Sequence, residues 1–130
     1  MSNKTVQQPT DSELEILRIL WEKGPSTVRF VNEQLNRTRR VGYTTTLKIM
    51  QIMTDKKLVI RNEDERSHIY SAAFEEKDIQ NRLIDKIVDA AFGGSASRLV
   101  MQVLGNHKAS QEELEEIRKL LNNLDENGKQ

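Results

Sequence analysis

The chain contains no cysteine, which excludes disulfides and thiolate metal sites. Histidine occurs only at His68 and His107, and neither has a second histidine or cysteine at metal-ligand spacing. No nucleophile motif and no glycine-rich phosphate loop accompanies them. Catalysis therefore has little support, both histidines read as structural or surface groups, and no metal or cofactor is expected. There is no long apolar run and no signal peptide, so a soluble cytoplasmic protein without membrane insertion is expected. Aromatic residues make up only 5% of the 130 residues, so the core is expected to be modest.

What is present is charge, and it is unevenly placed. Lys/Arg and Asp/Glu number 20 each. Between Arg29 and Arg61, however, Arg29, Arg37, Arg39, Arg40, Lys48, Lys56, Lys57 and Arg61 face only Glu33 and Asp55, a local excess of six positive charges. Such a belt attracts polyanions through counterion release even on a neutral protein. Without a partner it would be an ordinary solvated face.

Inside the belt lies GYTTTLKIMQIMTDKKL, from Gly42 to Leu58. At 3.6 residues per turn, Thr44, Lys48, Gln51 and Asp55 form one row, while Tyr43, Thr46, Leu47, Ile49, Met50 and Met53 share the other side. The expectation is a helix with a polar stripe and a buried back. Hydroxyl, ammonium and amide groups can bond phosphates and base edges in a major groove; a plain amphipathic surface helix is the competing reading. The row Leu47, Met50, Met53 reads as core rather than as a ligand pocket.

The setting favours nucleic acid. Residues 1–9 lack periodicity and read as a flexible arm. Thr10 and Glu13 have capping-box spacing at the start of a helix carrying Leu14, Ile16, Leu17, Leu20 and Trp21, stopped by Gly24-Pro25. Ser26 is expected to cap a second helix with Val28, Val31 and Leu35, ending in NRTRR. After the polar helix, Val59-Ile60-Arg61 and His68-Ile69-Tyr70 flank the charged loop NEDERS as a hairpin, with Arg66 at its tip able to reach phosphate or the minor groove. Three helices and a hairpin are the winged-helix order, in which the third helix enters the major groove.

A mainly α fold with a small β-hairpin wing is therefore expected: an N-terminal winged helix-turn-helix over residues 10–74, then a C-terminal three-helix dimerisation region over 75–124 and a flexible tail over 125–130. Ile79, Leu83, Ile87 and Val88 give the first of these later helices an apolar side. In the last, Ser110 and Glu113 form a capping box, and Leu114, Ile117, Leu121 and Leu124 repeat at coiled-coil spacing. The carboxylates Glu112, Glu113, Glu115 and Glu116 suit the positive end of that helix. Some fifty residues do not readily enclose a core, so a homodimer is expected. A dimer with two reading helices matches double-stranded DNA of two-fold symmetry.

The runs GYTTTLKIMQIMTDKKLVIR and ERSHIYSA, with TDSELEILRILWEKGPSTVRFVNEQL before them and Gly93-Gly94, SRLV and EELEEIRKLL after, resemble the penicillinase-repressor family, the BlaI/MecI/CopY type of bacterial transcriptional regulator. The resemblance spans Thr10 to Leu124. It implies a dimeric winged-helix repressor on palindromic operators. Carried over by position, Thr44, Thr45, Thr46, Lys48 and Gln51 would face DNA, with Tyr43 at the helix start and Arg66 on the wing. The basic belt adds Arg40 to the expected DNA contacts. In the penicillinase branch a membrane-bound sensor metalloprotease triggers cleavage within the dimerisation part. The family's Asn-Phe bond falls here at Gln102-Val103, a departure that keeps an apolar residue after the bond. The copper-sensing branch uses a C-terminal cysteine cluster, which this chain lacks. The alternative to operator binding is a winged helix that engages protein, which would more often expose an apolar patch on the third helix.

Overall fold

Thr10 and Glu13 close the start of the first helix as their spacing requires. The computed structural model describes residues 8–64, 66–106 and 109–128. In it the Glu13 amide donates to Thr10 Oγ1 at 3.2 Å and the Thr10 amide donates to Glu13 Oε1 at 2.9 Å. This reciprocal cap satisfies two amides that would otherwise lack partners. It opens α1 (Asp11–Lys23), which ends at Gly24 with φ 87°, a conformation open to glycine at no steric cost.

The next helix, α2 (Val28–Leu35), is capped by Thr27 rather than by Ser26. Thr27 Oγ1 accepts the Phe30 amide at 3.1 Å. Ser26 is otherwise engaged: its amide donates to the Tyr70 carbonyl at 2.9 Å, its carbonyl accepts the Tyr70 amide at 2.8 Å, and its hydroxyl donates to the Gly24 carbonyl. That isolated bridge pins Ser26 to Tyr70.

Gly42 precedes α3 (Tyr43–Asp55) without a side-chain cap. The far end is closed by Lys57 at φ 66°, whose amide donates to the Thr54 carbonyl at 3.0 Å, while the Leu58 amide donates to the Met53 carbonyl at 2.9 Å. This is a Schellman closure, normally built on glycine, and it turns Leu58 into the core over Met53, both fully buried. The hairpin follows as β1 (Val59–Asn62) and β2 (Ile69–Ala72), antiparallel, with Val59 opposite Ala72 and Asn62 opposite Ile69. His68 lies just outside β2 rather than within it.

Ile16, Leu17 and Leu20 of α1, Val31 and Leu35 of α2, Met50 and Met53 of α3, and Tyr70 of the wing meet in one core. At about 1.5–3 kcal/mol for each large apolar side chain fully removed from water, this cluster rather than the short hairpin holds the unit together. Trp21 donates from Nε1 to the Phe74 carbonyl at 2.8 Å, which ties the segment after the wing back to α1. The result is a winged helix: three helices and a two-stranded wing.

By contacts the chain divides into Met1–Ile84 and Asp85–Gln130. The boundary read from the sequence, at residues 74/75, falls between β2 and α4 (Glu76–Ala91); the division by contacts falls within α4. The second unit continues through Gly93 and Gly94, both at positive φ, to α5 (Ala96–Asn106) and α6 (Gln111–Gly128). Ser110 and Glu113 form a capping box at the start of α6, with bonds of 2.9 and 3.0 Å. Residues 125–128, expected in a tail, continue α6. Pro9, expected in the arm, is buried, whereas residues 1–7 and His107 lie outside the described residues. Among the described residues no helix is long and apolar enough to cross a membrane.

Candidate nucleic-acid interface

The turn between α2 and α3 is held by amide side chains. Asn32 donates through Nδ2 to the Val41 carbonyl at 3.0 Å and to Thr46 Oγ1 at 2.8 Å. Asn36 donates through Nδ2 to the carbonyls of Asn32 and Val41, and its Oδ1 accepts the Val41 amide at 3.2 Å. Thr46 Oγ1 in turn donates to the Gly42 carbonyl at 3.3 Å. This network fixes how α3 leaves the turn, and so which side of it faces outward.

Thr46 is fully buried, which removes it from the residues expected to face DNA. Its hydroxyl is spent inside the network. The helical period places Thr46 on the inner side, where it lies; only the carry-over by position from the family turns it toward DNA. Tyr43 departs in the opposite sense. It is 50% exposed and is no part of the buried back.

Thr44, Thr45, Lys48, Gln51 and Asp55 are all exposed along the outer side of α3, as are Arg40 before it and Arg66 in the wing loop. Ile52 is also on that side, 42% exposed, and sequence reasoning passed over it. It fell in neither the polar row nor the apolar one.

The basic belt is thinner than the sequence implies. Arg39 pairs with Glu15 at 2.6 Å, Lys56 with Glu13 at 2.8 Å, and Arg61 with Glu63. The hydrogen bond to Glu15, then its charge, raises the Arg39 guanidinium above its ordinary value; the hydrogen bond to Glu63 comes first in doing the same for Arg61. All three acids lie outside the stretch counted from Arg29 to Arg61, so the excess of six is halved. Among the described residues no ion pair engages Arg29, Arg37, Arg40, Lys48 or Lys57, and these five remain for an anionic partner.

In the second unit no residue of α5 or α6 is buried. Ile87, Leu121 and Leu124 are 46%, 59% and 58% exposed, while Leu83, Leu114 and Ile117 are half-buried. Ile79, expected among them, is 1% exposed and falls in the first unit. It is already covered within the single chain and leaves the set of candidate dimer contacts. Gln102 and Val103 are exposed and lie inside α5. Among the described residues no cluster of histidine, aspartate and glutamate could hold a metal ion.

The penicillinase repressor family profile matches residues 9–123, from the residue before the first cap to near the end of α6. The chain belongs to the penicillinase repressor family. Relatives within it include the penicillinase repressor of Staphylococcus aureus, 23% identical over 124 residues, covering 95% of this chain and 98% of that protein. The transcriptional regulator BlaI of Mycobacterium tuberculosis is 26% identical over 117 residues, covering 88% of this chain and 83% of the relative. Among solved structures, the monomeric form of Bacillus licheniformis BlaI in complex with the blaP half-operator has a TM-score of 0.50 and 20% identity, covering 57% of this chain and 90% of that one. At that identity the likeness bears on the fold alone. The family's named members are repressors and regulators of transcription rather than enzymes.

Proposed function

We propose that this chain is a sequence-specific transcriptional repressor that binds operator DNA of two-fold symmetry as a homodimer. Each protomer lays the outer row of α3 in a major groove, with the wing and Arg66 along the neighbouring backbone. The observation that carries this reading is the exposed set Thr44, Thr45, Lys48 and Gln51 on a helix whose start is held by part-buried hydrogen bonds from Asn32. Lys48, Arg40, Arg29, Arg37 and Lys57 supply the counterion-releasing charge. The BlaI neighbour, a monomer on a half-operator, supports one reading module per half-site.

The second unit supplies the dimer. Ile87, Leu121 and Leu124 are large apolar groups left open on helices in which a single chain buries little, and a second copy would remove them from water. Release of the operator follows from cleavage at Gln102-Val103, triggered by a membrane-bound sensor metalloprotease. That bond sits within α5, so the helix must open locally before it can be cut. Cutting separates the two readers, and the avidity of linked half-site binding is lost.

Fluorescence anisotropy against DNA from immediately upstream of the protein's own gene, beside a scrambled duplex of equal length, tests the reading. The expected outcome is binding at least about a thousandfold tighter to the operator, with a log-affinity against log-salt slope of roughly −5 to −9 for a dimer touching several phosphates per protomer. Equal, weak binding to both duplexes removes the assignment for that promoter. A protein-binding winged helix is the second reading, favoured by the exposure of Tyr43 and Ile52. Charge reversal at Arg40 that leaves DNA affinity unchanged while abolishing capture of a protein partner would select it.

A further inference from the structure

Ile52 is the one apolar side chain on the outer side of α3, and the polar readout does not use it. With Lys48 as the origin of a helical projection, Thr44, Gln51 and Asp55 lie roughly 20–60° to one side, while Ile52 and Thr45 lie about 40° and 60° to the other. Ile52 therefore sits within the exposed arc, two turns beyond Thr45 and one beyond Lys48. It is 42% exposed, whereas its near neighbours Ile49, Met50 and Met53 turn inward to half-buried or buried positions. Ile52 stands outside the core cluster, on an arc whose other members, Thr44, Thr45, Lys48, Gln51 and Asp55, are polar.

We propose that Ile52 is a specificity residue that reads a thymine methyl group in the major groove. This rests on the operator-binding reading above and deepens it. Of the groups that base pairs present in the major groove, the C5 methyl of thymine alone is apolar. An isoleucine can distinguish that methyl from the bare C5 edge of cytosine, and it cannot replace any hydrogen bond. The helix places it about 10 Å along the axis from Thr45, some three base steps further along the groove. Thr45 and Ile52 would thus read different base pairs of one half-site, the first by a hydroxyl and the second by shape.

The test uses the full-length protein and a duplex that it selects from a random library, with each thymine replaced in turn by deoxyuridine, which lacks only the methyl. For the native chain, one position per half-site should weaken binding by about fourfold, and by about fifteenfold when both half-sites are changed, the effect of one buried methyl each. In Ile52→Ala that position should become indifferent to the methyl, while the other thymines keep their effects and the salt slope is unchanged. An unaltered thermal midpoint for the variant shows that it folds. A methyl effect that is the same in native and Ile52→Ala proteins, or no methyl effect at any thymine under tight selective binding, overturns the proposal and leaves operator binding standing. Failure to select any duplex overturns operator binding itself, and this inference with it.

Discussion

Glu13 holds Lys56 with both carboxylate oxygens, at 2.8 and 3.0 Å, across 43 residues of sequence. The same carboxylate completes the cap of α1. One buried acid thereby fixes the start of the first helix and ties it to the residue that ends the third. The Glu13 side chain is 4% exposed and that of Lys56 21%, so the pair is only partly open to solvent screening.

Removing one partner should therefore hurt more than removing both. Lys56→Met leaves a carboxylate buried without its cation and is expected to destabilise the winged helix by about 2–4 kcal/mol. Adding Glu13→Gln, which can keep the capping box, should restore at least half of the loss. Urea denaturation of the two variants measures the difference; equal stability of Lys56→Met and the native protein would show that the pair contributes nothing.

On the proposed reading, Thr46 and Asn32 bear on DNA only through the position of α3. Thr46→Val deletes a fully buried hydroxyl with two partners and is expected to lower stability by about 1–2 kcal/mol. Operator affinity should fall as α3 loosens, yet the salt slope should stay that of the native protein. Relaxed preference at a single base pair, with other positions unaffected, would place Thr46 against a base edge after all.

Lys57 adopts a left-handed conformation at φ 66°, where glycine carries no steric penalty. Lys57→Gly should stabilise the domain by about 1 kcal/mol, which for a unit of this size raises the thermal midpoint by roughly 4–8 °C. Calorimetry decides this. The same change removes one cation of the belt and should weaken all duplexes alike.

Leu121 and Leu124 lie open on α6. Glutamate at both should give a monomer by light scattering at micromolar concentration, with the winged helix still folded and operator affinity reduced by orders of magnitude. Truncation after Gly94 should do the same. A truncated chain that binds the operator as tightly as the intact protein would exclude release by cleavage.

Much of the architecture was legible in the residues. Spacing and caps gave the order of helices and hairpin, because Thr10-Glu13 and Ser110-Glu113 are local arrangements that need only four residues to act, and Gly24 stops a helix by its own backbone freedom. The outward position of Thr44, Lys48 and Gln51 follows from helical period alone. Where the reading missed, a distant partner had intervened. Ser26 is chemically as good a cap as Thr27, and only its pairing with Tyr70 decides between them. Thr46, which the family carry-over turns toward DNA, is held inward by Asn32. The charge belt lost half its excess to Glu13, Glu15 and Glu63, two of them on α1, far along the chain from the cations they hold. Sequence by itself determined what each segment could form, since propensity, capping and period act within a few residues. Tertiary structure decided which hydroxyls, carboxylates and apolar groups were left over for a partner, since that depends on which side chains from distant segments reach them first.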